Sequence, residues 1–186
     1  MNLLVAKLIA SLARTFRKLI SKSEVAVELS RIKNKGIGIR LEGPGTVLEP
    51  ENLVLEDYVS IGENHFFRCK GGVRIGKYTR LSRNVVIHSV NHNYNGTMLP
   101  YDRTDVTSPI TIGSYVWIGM NACILPGSTI GDGAIIGMGA VVSGKVNPGE
   151  IVVGAKIRVI GKRSEDHTLD LTKKGAFLKS GGDADA

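Results

Sequence analysis

The sequence predicts an all-β protein, a parallel β-helix of short stacked strands, with one amphipathic helix ahead of it. Three observations predict this. From Ile112 to Asn147 an aliphatic residue returns at every sixth position (Ile112, Ile118, Ile124, Ile130, Ile136, Val142), and glycine follows four of them, at Gly113, Gly119, Gly131 and Gly137. A helix brings one face round every 3.6 residues and a strand every two, so a period of six fits neither. It fits a flat-sided coil in which strands of about four residues, joined by tight turns, point the recurring aliphatic into a shaft. The second observation is an apolar, basic amino terminus with helical spacing. The third is a polar segment that breaks the period once, between Ile87 and Ile112.

Residues 1–22, MNLLVAKLIASLARTFRKLISK, place Val5, Leu8, Leu12, Phe16 and Leu19 at steps of three and four, with Lys7, Arg14, Arg17 and Lys18 between them. That is an amphipathic helix with a basic face. Lys7 breaks the apolar run, which is too short to span a bilayer, and neither a basic n-region nor a small-residue cleavage site frames it as a secretory signal. Two placements fit: packed on the end of the coil or a neighbouring subunit, which is the plainer reading, or lying on the inner membrane surface against anionic lipid.

Residues 23–54 carry Gly36, Gly38, Gly43, Gly45, Pro44 and Pro50, which mark turns, so irregular first strands are expected here. Regular sixes appear at Leu55, Ile61 and Phe67 and restart after Gly71 and Gly72 at Ile75, Leu81 and Ile87. The two-residue slip reads as a small bulge or loop at a corner, and the coil completes about two turns before the main repeat. The segment HSVNHNYNGTMLPYDRTDVTSP then interrupts the stack; it costs ordering entropy and adds little core, so function is sought there first. Pro148 and Gly149 end the sixes, EIVVGAKIRVIGKR reads as a last strand with basic residues, and the tail closing on SGGDADA reads as loosely ordered. The expected organisation is a helix over 1–22, a coil over 23–163 with an inserted loop at 89–109, and a tail over 164–186.

The chain's 186 residues suit one domain, since a stacked coil buries its core neighbour on neighbour. Aromatics make up only 5%, as a narrow shaft filled by Ile, Val and Leu requires. The net charge of +7 fits a nucleic acid, an anionic membrane surface or a phosphorylated ligand. No helix-turn-helix, zinc finger or aromatic-basic stacking platform is present, so nucleic acid is not expected. Cys69 and Cys123 have no paired spacing and read as buried thiols of a reducing, cytoplasmic compartment.

The six-residue repeat resembles that of the left-handed β-helix acyltransferases. In that family three hexapeptides make one triangular coil, so Ile112 to Thr129 is one turn and Ile130 to Asn147 the next, with coils about 4.8 Å apart. Acyl transfer from a thioester to a hydroxyl needs a base, donors for the oxyanion and a slot for the carrier. Of His65, His88, His92 and His167, only His88 and His92 lie at the interrupting loop. Hexapeptide acetyltransferases acting on sugars and xenobiotics have an N-V-aliphatic strand followed by a short loop carrying the catalytic histidine. Asn84-Val85-Val86-Ile87-His88-Ser89-Val90-Asn91-His92 matches without a gap and puts that role on His92. Asn91-His92-Asn93-Tyr94 also resembles segments of xenobiotic and polysaccharide O-acetyltransferases. His88 is read as a coil-surface or subunit-contact residue, with assistance to the base as the alternative, and His65 and His167 as structural or surface. Asp102 and Asp105, on the same loop, are the candidates to orient His92.

The resemblance implies acetyl-CoA as cosubstrate, held by Trp117, Gly119, the backbone near Met138, Ser143 and Lys145, then Arg158 and Lys162 at the nucleotide end, and an N–H near Gly119 as oxyanion donor. Lys145, Arg158 and Lys162 also follow the coil where phosphates would need cations. Where the small-sugar members have Asn-x-Asn, this chain has Arg68-Cys69-Lys70. Arg68, Lys70, Asn84 and His88 therefore form the expected acceptor side, suited to an anionic or oligosaccharide acceptor. The family implies a homotrimer with sites at the seams. An antibiotic acetyltransferase is the nearest alternative. A γ-type carbonic anhydrase needs three zinc-binding histidines and the loop has two, so no metal is expected; a non-catalytic scaffold is the remaining alternative.

Overall fold

A computed structural model describes residues 2–154 and 165–176. Its strands form three parallel sheets that are the sides of a prism. The first face holds Asn34–Lys35, Leu53–Leu55, Val73–Ile75, Ile110–Ile112, Thr129–Ile130 and Lys145–Val146. The second holds Arg40–Leu41, Ser60–Ile61, Arg80–Leu81, Trp117–Ile118, Ile135–Ile136 and Ile151–Val152. The third holds Thr46–Leu48, Phe66–Arg68, Val86–His88, Cys123–Ile124 and Val141–Val142. Each strand pairs with the one a full turn away, as in Ile112 with Ile130, Ile118 with Ile136 and Ile124 with Val142. The coil begins at Asn34, so three turns, rather than two, precede the main repeat.

Every sixth aliphatic points into the shaft: Ile112, Ile118, Ile124, Ile130, Ile136 and Val142 are all buried, as are Leu55, Ile61, Phe67, Ile75, Leu81 and Ile87. Each fully buried side chain of this size contributes about 1.5–3 kcal/mol, which is why the six-residue register holds against the pull of either other periodicity. The corners are as regular as the sides. Between first and second faces the turn residue in the left-handed region is Tyr58, Tyr78 and Tyr115 in three successive turns, each at φ 59°. Their rings stack at 5.0 and 5.6 Å, within 9° of parallel. Between second and third faces the same position is Asn64, Asn84 and Asn121, and between third and first it is Gly72, Gly127 and Gly144.

Helix α1 runs from Leu3 to Arg31, capped by the Asn2 side chain, which accepts from Leu4 N at 3.1 Å. It continues well past Lys22 because SEVAVELSR holds neither Gly nor Pro, and the first strong breaker is Gly36. Its last turns dock on the coil: Val25 and Leu29 rest on the core, Ile32 closes the end of the shaft, and Glu28 is buried against His65. His65 Nε2 lies 2.5 Å from Glu28 Oε1 and Nδ1 lies 2.8 Å from Gly62 O, so His65 is structural. The tail is not loose throughout. Helix α2, Glu165–Lys173, buries Leu171 and ends in a left-handed Gly175, with Ala176 N donating to Leu171 O at 3.0 Å. Among the described residues no helix is long and apolar enough to cross a membrane.

Candidate active site

At the corner between third and first faces the chain leaves the coil after His88 and returns at Ile110. The exit is closed by main-chain and serine bonds. Ser89 Oγ donates to Arg68 O and accepts from Gly71 N, both at 2.9 Å; Ser108 N donates to Ser89 O at 3.0 Å; and Ile110 N donates to Gly72 O at 3.0 Å. Beyond this neck the insertion is an ordered arm. Val90–His92 runs antiparallel to Asp105–Thr107, with His92 directly opposite Asp105. The tip is held by Asp102, whose carboxylate accepts from Thr97 N at 3.0 Å, Thr104 N at 2.8 Å and Thr104 Oγ1 at 2.5 Å. The Thr104 hydroxyl and those amides keep the Asp102 carboxyl below its usual range. The turn that follows α2 also braces the arm, Leu99 N donating to Ala176 O at 2.5 Å.

Cross-strand neighbours on one face of a ladder bring their side chains together. His92 Nδ1 accordingly faces Asp105 Oδ1 at 3.5 Å, an ion-pair distance at the outer edge of hydrogen bonding. The imidazole lies flat on Tyr101, centroids 3.9 Å apart and planes 4° from parallel. Asp105 Oδ2 accepts from Lys70 Nζ at 2.7 Å, and Arg68 Nη2 stands 3.6 Å away. The hydrogen bond from Lys70 leads in holding the Asp105 carboxyl below its usual range, with the Lys70, Arg68 and His92 charges adding to it. Asp105, not Asp102, is therefore the group beside His92. Nothing among the described residues bonds to Nε2, and the His92 side chain is 42% exposed, so that nitrogen is open to a hydroxyl.

Three of the expected carrier contacts meet elsewhere. Trp117, Gly119 and Met138, with Ser82, Met120 and Ile135, line an apolar cavity of about 430 Å³ on the second face and its edge to the third. Trp117 points outward as expected and is 56% exposed. Ser143 and Lys145 are exposed on the other edge of the third face, the corner that carries the arm. Arg158 and Lys162 lie outside the described residues.

The sequence model for bacterial transferase hexapeptide (six repeats) matches residues 109–144. Over 144 residues the chain is 31% identical to WbbJ of Escherichia coli K12, a protein named for lipopolysaccharide biosynthesis O-acetyl transfer, with 72% of this chain and 70% of the relative covered. A crystal structure of a maltose O-acetyltransferase from Clostridium difficile 630 overlays with a TM-score of 0.60 at 29% identity, over 74% of this chain and 75% of that one. The fold is also that of a hexapeptide-repeat acetyltransferase from Vibrio cholerae solved with acetyl coenzyme A, TM-score 0.54 at 22% identity, over 70% of this chain and 67% of that one. The chain belongs to the hexapeptide-repeat acetyltransferase family.

As an acetyltransferase of this family the protein is an acyltransferase, and several expected site residues make contacts within its coil. Asn84 is a corner residue at φ 59° whose Nδ2 donates to Asn121 Oδ1 at 2.9 Å, across the third face from the arm. The Gly119 N–H donates to Ile136 O at 2.7 Å within the coil. Cys123 is half-buried on the outer side of its strand rather than in the core. Cys69 is buried, and burial pushes its thiol up to about 12. His88 sits at the neck, with Nδ1 2.5 Å from Val90 O and its ring beside Phe66. Sequence reasoning missed Tyr101 altogether; an aromatic in a polar insertion of few apolar residues was the available sign.

Proposed function

We propose that this acetyltransferase moves the acetyl group of acetyl-CoA to a hydroxyl of a sugar or cell-surface polysaccharide precursor, with His92 as general base. The observation that carries the reading is the placement of His92 between the Tyr101 ring and the Asp105 carboxylate with Nε2 outward. Asp105, ionised through Lys70, favours the proton on Nδ1, which makes Nε2 the basic nitrogen. His92 then takes the acceptor's proton as the hydroxyl oxygen bonds to the thioester carbon, Asp105 stabilises the imidazolium, and the proton passes to the departing sulfur as the carbon–sulfur bond breaks. Arg68 and Lys70 outnumber Asp105 and leave net positive charge beside the base, which favours an anionic or oligosaccharide acceptor.

The cavity beside Trp117 is nearly apolar, as a pantetheine arm requires; Ser143 and Lys145, at the other edge of the third face, meet it only from a neighbouring copy, and Arg158 and Lys162 are the sequence's cations for the phosphates. The Trp117 cavity and the arm stand at opposite edges of the third face, so a site that uses both takes them from two copies, as in a homotrimer. The free thiols Cys69 and Cys123 fit the cytoplasm.

Thiol release from acetyl-CoA, screened over sugars, sugar nucleotides and oligosaccharides with mass spectrometry of the acetylated product, tests the chemistry; no acceptor-dependent release sinks it. Co-expressing His92→Ala with Trp117→Ala tests the shared site. Random assembly restores about a quarter of the sites if the two residues come from different copies, and none if one copy holds both.

A further inference from the structure

An apolar surface on α1, formed by Ile9, Leu12, Ala13, Phe16 and Leu19 with Thr15 among them, includes none of the residues of the arm. At 100° per residue, Leu8, Ile9, Leu12, Phe16 and Leu19 fall within about 100° of arc. Lys7, Arg14, Arg17 and Lys18 fall on the opposite arc. The coil grips this same helix further along by Val25, Glu28 and Leu29, which lie on the side of the cations. The stripe is thus turned away from its own fold: Leu12 is 63% and Phe16 64% exposed. A helix end that used this stripe for its own core would have buried it.

Charge decides the partner. Residues 1–23 contain Lys7, Arg14, Arg17, Lys18 and Lys22 and no acidic residue; the first is Glu24. A second copy of the stripe would bring the same five cations again, whereas an anionic bilayer offers both apolar depth and opposite charge. The helix is about 10 Å across, so even the cations on its far side lie within about one Debye length of the surface. No described helix can span a membrane, which leaves attachment in the plane of the surface.

We infer that α1 is an in-plane anchor whose Leu8–Leu12–Phe16–Leu19 stripe enters an anionic lipid surface, with the coil held above it by the Glu28–His65 pair. The anchor is independent of the acetyl-transfer reading. The test is co-sedimentation of the full chain with phosphatidylcholine vesicles, with and without about one third phosphatidylglycerol, at about 0.1 M salt. The expected result is binding to the anionic vesicles alone. Arg14→Gln/Arg17→Gln/Lys18→Gln together should weaken it on the order of a hundredfold, roughly fivefold per cation. Leu12→Ser/Phe16→Ser should abolish it with the melting temperature unchanged. Equal binding to neutral vesicles, or none to either, overturns the anchor. A fall in lipid-free oligomer mass for Leu12→Ser/Phe16→Ser overturns it too, since the stripe would then join copies of the chain.

Discussion

Two corners of the prism belong to the same coil, and they behave in opposite ways. At the corner of Tyr58, Tyr78 and Tyr115 each left-handed residue carries a large ring that rests on the next. The strain of a non-glycine residue at positive φ is offset there by stacking, and the corner is closed along its length. At the corner of Gly72, Gly127 and Gly144 the left-handed residue has no side chain, and serine hydroxyls of Ser89 and Ser128, rather than stacked rings, link successive turns. A Cβ on Gly71 would collide with Ser89 O and the Ser108 backbone, so two chain segments pass side by side there. The corner without a ring stack is the one from which a chain leaves and to which it returns. It is also where His92, Asp105, Lys70 and Arg68 meet.

If the arm corner works and the tyrosine corner only holds, substitutions should separate the two. His92→Ala should lower kcat about a thousandfold with the melting curve unmoved, measured by thiol release beside calorimetry. Tyr78→Val should do the reverse: a β-branched residue at φ 59° without its two stacks should lose about 2–3 kcal/mol in denaturant unfolding, with kcat per folded molecule intact. Asp105→Asn should lower kcat roughly thirtyfold, because the imidazolium loses its counter-charge while its ring keeps Tyr101.

Acid should also tell the corners apart. The Asp105 and Asp102 carboxyls are held below their usual range, so their contribution is complete above the unfolded value of about 4 and is lost as pH falls through the lower folded values. Amide exchange in residues 93–104 should therefore quicken below about pH 4 before that of the tyrosine corner does. The smallest effect belongs to Asn84→Ala, which should cost about 1 kcal/mol through the Asn121 bond and change kcat less than about twofold; a larger kcat loss would return Asn84 to the site.

The coil was legible because its information is local: one buried aliphatic per six residues fixes side, register and corner at once, as at Ile118 and Ile136. The arm was legible only as a break in that register. Which carboxylate would face His92 depends on the antiparallel register of Val90–His92 with Asp105–Thr107, set by Asp102 and Asn93 bonds at the tip, and no periodicity encodes it. Asn84 shows a related limit. Its motif is equally a corner motif, and within one chain its side chain bonds Asn121 across the turns. The boundary of α1 at Arg31 was present in the absence of breakers after Lys22, and Leu171 in α2 was masked by a polar composition.

The neck at Ser89 and Ser108 has a consequence for the length of what lies beyond it. Val73–Ile75 pairs with Ile110–Ile112 as if nothing had intervened, so the shaft does not register how many residues were spent outside. Excursions of other lengths and sequences can be grafted at the same two serines without renegotiating a single interior methyl, so the arm can drift while its scaffold stands still.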